Sequence, residues 1–161
     1  MLIIRHAEDA ASGRGLSAAG EARAAAYARY FRPFRLGQEQ LRIDTLVAAA
    51  DSRASDRSRL TLEPLSRASA IPVQQPVRAR DVRALARWLE HGPPHRAILI
   101  AWHHGDLPDL LAELGADPTA LLGRRRWPSN IYDRVVVLRF DREGALIPQA
   151  SRVVREPALT P

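Results

Sequence analysis

Short unbroken apolar runs alternate along this chain with longer stretches in which apolar residues return every three or four positions. Leu2-Ile3-Ile4, Ile43 to Ala50 and Ala97 to Trp102 are runs of the first kind, the pattern of strands buried on both faces of a sheet. Between the first two, Ser17 is a suitable N-cap for a helix that ends near Pro33, and the spacing of Tyr27, Tyr30, Phe31 and Phe34 places these aromatics in a core. A second helix is expected over Ser52 to Ser66, carrying Leu60, Leu62 and Leu65. Ile71-Pro72-Val73 reads as a short extended piece, and Pro76 argues against a long central strand there. A third helix begins at Asp81, runs through Leu85, Trp88 and Leu89, and stops before Gly92-Pro93-Pro94. A fourth takes Pro108 in its first turn and continues through Leu110, Leu111 and Leu114 to Gly115. Late in the chain, Arg134 to Phe140 and Leu146 to Val154 flank Asp141 to Gly144, which predicts a hairpin. The sum is an α/β protein: a three-layer sandwich with a mostly parallel central sheet and helices on both faces.

At 161 residues, 46% hydrophobic and 26% charged, the composition is globular, and one domain over 1–161 with one active site is the expectation. The apolar runs are too short to cross a bilayer, and Arg5 and His6 interrupt the apolar start too early for a signal peptide, which points to the cytoplasm and away from a membrane partner. With no Cys, thiolate catalysis and thiolate zinc sites are excluded. The formal charge of +6 suits an anionic partner. Yet every cationic side chain is Arg and Ala is abundant, a bias that base composition produces unaided. No aromatic-interleaved basic stripe accompanies the charge, so nucleic acid is not the expected partner. Arg124-Arg125-Arg126 reads as a solvated loop, and a monomer or small homo-oligomer is expected.

The chemistry concentrates where strands end. The first strand runs straight into Arg5 and His6; the run from Ile98 to Trp102 ends in His103-His104-Gly105. Arg presents a planar fork to phosphate oxygens, and a neutral imidazole is a nucleophile near pH 7. Ligands in open α/β sheets bind beyond the carboxyl ends of strands, so neighbouring strands would bring both His turns into one pocket.

Arg5-His6-Ala7-Glu8, followed by Gly15-Leu16-Ser17 and Gly20, resembles the opening signature of the histidine phosphatase, or phosphoglycerate-mutase-like, superfamily. Ser52 through Arg57 to Thr61 is similar to that family's segment for a second phosphate-binding Arg, and Ile98 to Gly105 resembles the strand leading to its second His. The resemblance implies the phosphoglycerate-mutase-like fold and gives His6 the role of nucleophile, with Arg5, Arg57 and His104 binding phosphate. Gly105 after His104 favours that histidine over His103, which is left to local packing. Thr61, four residues on, favours Arg57 over Arg53 and Arg59.

Asp106, two residues beyond His104, resembles the general acid of the acid-phosphatase branch; Glu8 and, as a helix cap, Asp81 are the other carboxylates weighed, and a site with no side-chain acid is the remaining alternative. No metal or other cofactor is required by that scheme. His6, Glu8, His103, His104 and Asp106 could instead be read as metal ligands, but adjacent histidines on extended chain face opposite ways. The function expected is therefore a metal-independent phosphatase, acting on a phosphorylated small molecule or a phosphoprotein through phospho-His6. A non-catalytic phosphate-binding or phosphoprotein-binding module is the alternative, and a mutase-type phosphotransferase, whose relatives are generally longer, stands behind both. Substrate selection is expected from Ser12 to Gly15 and Asp117 to Asn130, with Tyr132 and Asp133 near the pocket or forming a structural pair.

Overall fold

The computed structural model describes residues 1–93 and 96–157; Pro94 and the tail at Pro161 lie outside them. Its centre is a six-stranded sheet. Strands β1 (Leu2–Arg5), β4 (Thr45–Ala48), β5 (Val73–Gln74) and β6 (Ile98–Trp102) are parallel, and β7 (Arg134–Val137) and β8 (Arg152–Arg155) close one side antiparallel, in the order β5-β4-β6-β1-β7-β8. A separate hairpin, β2 (Phe34–Leu36) with β3 (Glu39–Leu41), lies between the first helix and β4.

Successive residues of a strand face opposite sides of a sheet, and β1 sends Leu2 and Ile4 into one core and Ile3 into the other. The first core includes Tyr27 of α1 (Ala18–Tyr30), Phe31 at the C-cap of that helix, and Leu62 and Leu65 of α2 (Arg57–Ser69). The second takes Leu85 and Leu89 of α3 (Val82–Glu90), Leu107, Leu110 and Leu111 of α4 (Leu107–Glu113) and Leu122 of α5 (Pro118–Leu122). Every residue of β1, β4 and β6 is buried, as expected for strands covered on both faces.

The helices begin where the chain supplies caps. Ser17 Oγ accepts from the Gly20 amide at 3.1 Å, and Gly20 itself is required: a Cβ there would stand 2.4 Å from the Glu8 carbonyl oxygen. Asp81 occupies the N-cap of α3, although its side chain makes no capping bond. Pro108 lies in the first turn of α4, and Gly115, at φ +82°, follows that helix.

Three boundaries differ from the sequence expectation. Ser52 to Asp56 is a loop, because Ser52 Oγ captures the amides of Ala54 and Ser55 at 3.2 and 3.0 Å; α2 starts only at Arg57 and continues past Pro64 to Ser69. Phe34 is extended rather than helical, yet buried, stacked on Phe31 with ring centroids 5.7 Å apart. The late hairpin is present with shorter strands: a turn at Asp141, a bridge between Phe140 and Leu146 and a 3-10 turn at Pro148–Ala150 separate β7 from β8. Helix α5 escaped sequence reading although its signal was there, Asp117 bonding the Thr119 and Ala120 amides ahead of the chain's turn at Gly123.

Candidate active site

The pairing of β1 with β6 fixes what meets at the carboxyl end of the sheet. Arg5 lies opposite Trp102, and the His6 amide donates to the Trp102 carbonyl at 2.9 Å. Residues 6 and 103 therefore leave the sheet side by side. Their rings meet edge to face with centroids 5.0 Å apart, so the histidine against His6 is His103. His104 is one residue further on, half-buried in the following turn. Gly105, which favoured His104 in the sequence, is under no steric demand: a Cβ there would meet nothing within 4 Å.

His6 is 1% exposed, and its Nδ1 lies 2.8 Å from the Ala7 carbonyl oxygen. A carbonyl only accepts, so Nδ1 carries the proton and Nε2 keeps its lone pair. Burial lowers the imidazole to about pKa 4, against the opposing pull of the Ala7 carbonyl and Asp9. At neutral pH the ring is uncharged, the state a nucleophilic nitrogen needs.

Two guanidinium groups converge beside it. Arg5 is 1% exposed; it donates through Nη1 to the Ser129 carbonyl and through Nη2 to Tyr132 Oη at 2.8 Å and Asp9 Oδ2 at 3.1 Å, with its Cζ 3.7 Å from the Tyr132 ring centre. Arg57, at the first position of α2, brings Nε to 2.9 Å from Asp9 Oδ1. The same carboxylate oxygen lies 3.6 Å from His6 Nδ1, and Asp9 Oδ2 accepts from Tyr132 Oη at 3.2 Å. Thr61 ties these pieces together: its Oγ1 accepts from the Ala7 amide at 2.8 Å and donates to the Arg57 carbonyl at 2.8 Å.

Arg59 belongs to a different set, paired with Asp51 and Glu63, and Arg53 is exposed.

Glu8 is turned away from this pocket. Both its oxygens accept from Arg23 Nε at 3.0 Å, and Arg23 continues to Glu156 at 2.7 Å, which accepts from Tyr27 Oη at 2.6 Å. Burial pushes Glu8 up, but the Arg23 bonds win and hold it below its ordinary value, a poor proton donor. Asp106, half-buried at the N-cap of α4, is shifted upward by burial and by Asp109, against Arg80 and His104. Burial and Arg57 lower His103, and burial and Arg5 lower His104.

Among the described residues, no group of three or more His, Asp or Glu side chains is placed to hold a metal ion, and no helix is long and apolar enough to cross a membrane.

No protein-family profile and no curated protein matches the chain. Solved structures do. The protein histidine phosphatase SixA in complex with tungstate superposes with a TM-score of 0.59 at 22% identity, covering 91% of each chain. The chain has the histidine phosphatase fold. A phosphohistidine phosphatase SixA assigned in Agrobacterium tumefaciens shares that fold at TM-score 0.57 and 20% identity, over 95% of this chain and 93% of its own. A mycobacterial glucosyl-3-phosphoglycerate phosphatase in complex with VO3 shares it at TM-score 0.51 and 15% identity, over 98% of this chain and 97% of its own.

Of the residues that meet here, sequence reading did not single out Asp9, placed Ser129 only within the loop from Asp117 to Asn130, and set His103 aside for local packing. Asp9 carried little signal of its own, standing beside Glu8 in a loop segment where two carboxylates balance Arg5 and Arg14. Ser129 acts through its backbone and carried none.

Proposed function

We propose that this protein is a metal-independent phosphatase that transfers the phosphoryl group of a phosphomonoester or a phosphorylated protein side chain to His6 and then to water. One observation carries the reading: a buried imidazole, its Nδ1 fixed on a backbone carbonyl, stands where Arg5, Arg57 and His103 converge. In the first step His6 Nε2 forms a bond to phosphorus as the bond to the leaving oxygen breaks; the alkoxide takes a proton from Asp106, whose carboxyl is shifted upward by burial, or from solvent. In the second, water gives a proton back to the Asp106 carboxylate or to solvent as its oxygen attacks phosphorus, the P–N bond breaks, and inorganic phosphate leaves with His6 restored. Arg5, Arg57 and His103 hold charge on the equatorial oxygens throughout. The second-His role passes from His104 to His103 on the strand register, and His104 becomes a rim residue near Asp106.

The shared fold supports a phosphorylated substrate without choosing its class, since it serves a protein histidine phosphatase and a sugar-phosphoglycerate phosphatase alike. Tungstate and VO3 bound to two of these neighbours are oxyanions, the chemistry that a pair of arginines recognises. The test is p-nitrophenyl phosphate hydrolysis in chelator, with acid-labile phosphoenzyme trapped by rapid quench. Phosphoenzyme and turnover are expected in wild type and neither in folded His6→Ala. Phosphate binding without phosphoenzyme would establish the binding-module alternative.

A further inference from the structure

Among the described residues, Asp9 is the one anion in contact with both arginines of the site. A single carboxylate spans them, Oδ1 at 2.9 Å from Arg57 Nε and Oδ2 at 3.1 Å from Arg5 Nη2, and both contacts lie where a phosphoryl group would need the same donors. The Arg57 contact is short but misaligned: among the described residues its buried Nε has no partner in hydrogen-bonding geometry, and neither has that of Arg5. The carboxylate therefore supplies charge to Arg57 without using its donor direction. The backbone around Asp9 is pinned, by a bridge to Leu16 and by the Ser17 amide on the Glu8 carbonyl at 2.9 Å, whereas the side chain is 37% exposed. Rotation about the side-chain torsions into solvent is open to it. Two anions a few ångströms apart in one pocket repel, so a phosphoryl dianion and the Asp9 carboxylate do not share these arginines.

We infer that Asp9 is a resident counter-anion: the substrate's phosphoryl group displaces it from Arg5 and Arg57 on binding, and it reclaims them as inorganic phosphate leaves. This rests on the proposed phosphate site. At rest Asp9 compensates the buried Arg5 charge, which would otherwise stand uncovered. On turnover it competes with product, so the enzyme gives up some affinity in exchange for release.

A purely structural Asp9, one that only holds the arginines in place, makes the opposite prediction, and the two differ in sign. In Asp9→Asn, which keeps the shape and removes the charge, the dissociation constant for inorganic phosphate measured by calorimetry is expected to fall about tenfold, equivalent to about 1.4 kcal/mol. KM for p-nitrophenyl phosphate is expected to fall with it. Unchanged or weaker phosphate binding in the variant overturns the inference. Should Asn at this position prevent folding, Asp9→Ser gives the same comparison. Calorimetry needs no turnover, so the two readings separate. Tighter phosphate binding in a variant and wild type that both lack phosphoenzyme keeps the counter-anion and removes the phosphatase. His6-dependent turnover with unimproved phosphate affinity does the reverse.

Discussion

Two arginine–carboxylate clusters grow from adjacent residues, and they end differently. Glu8 joins Arg23, Glu156 and Tyr27 in a closed set: both Glu8 oxygens accept from Arg23, and Glu156, its side chain fully buried, is bonded on both oxygens. Asp9 joins Arg5, Arg57 and Tyr132 in an open one, with a partly exposed carboxylate and guanidinium donors that lack aligned partners. A closed cluster has nothing left to offer a ligand. Charge that is buried, convergent and incompletely satisfied is what a binding site offers, and the balance differs between the two sets: two carboxylates to one arginine in the closed one, one carboxylate to two arginines in the open one.

The comparison breaks most sharply at His6. His6→Ala is expected to lower kcat/KM for p-nitrophenyl phosphate by about 10⁴-fold or more, because no other group in the open cluster replaces the nucleophile; rapid-quench labelling checks it. Next come Arg5→Ala and Arg57→Ala, each expected to lower kcat about 10²- to 10³-fold, with Arg57→Lys recovering only part because it keeps charge without the fork. The tandem histidines test the strand register. His103→Ala is expected to cost about 10²-fold in kcat and His104→Ala only a few-fold; equal losses would mean that both rings reach the phosphoryl group.

The closed cluster is expected to affect stability and leave turnover alone. Glu156 is pushed up from 4.5 to about 7 by burial, against Tyr27 and Arg23. Its contribution to stability is full below about pH 4.5 and is lost as the pH rises through 7. His6, lowered from 6.5 to about 4, acts oppositely: its contribution is present above 6.5 and lost as the pH falls through 4. In Glu156→Gln the decline in melting temperature between pH 5 and pH 8 is expected to flatten by about 2–4 °C, with kcat unchanged. A change in kcat would join the two clusters into one.

Much of this was legible in the chain. The runs around Ile3, Val47 and Ile100 announce buried parallel strands, since a strand covered on both faces has no polar side to show. His6 and Arg57 are recognisable because each follows a local pattern. His103 was not separable from His104, because adjacent residues on extended chain differ only in which way they leave it, and that depends on the Arg5–Trp102 register with a strand almost a hundred residues away. Asp9 reads as an ordinary loop acid until α2 delivers Arg57 to it, and the start of α2 was itself obscured by the local bonds of Ser52. The hairpin at Phe34–Leu36 and Glu39–Leu41 has strands of three residues, too short for a periodic signal.

Thr61 gives the pocket a reporter independent of turnover. The buried Ala7 amide, next to His6, has a side-chain hydroxyl of α2 as its partner instead of a neighbouring strand. Its exchange with deuterium therefore records how often α2 lifts from the end of β1, and Thr61→Val should speed that exchange while the amides within β6 stay protected. The turn that carries His6 is then only as long-lived as the docking of a helix some fifty residues away.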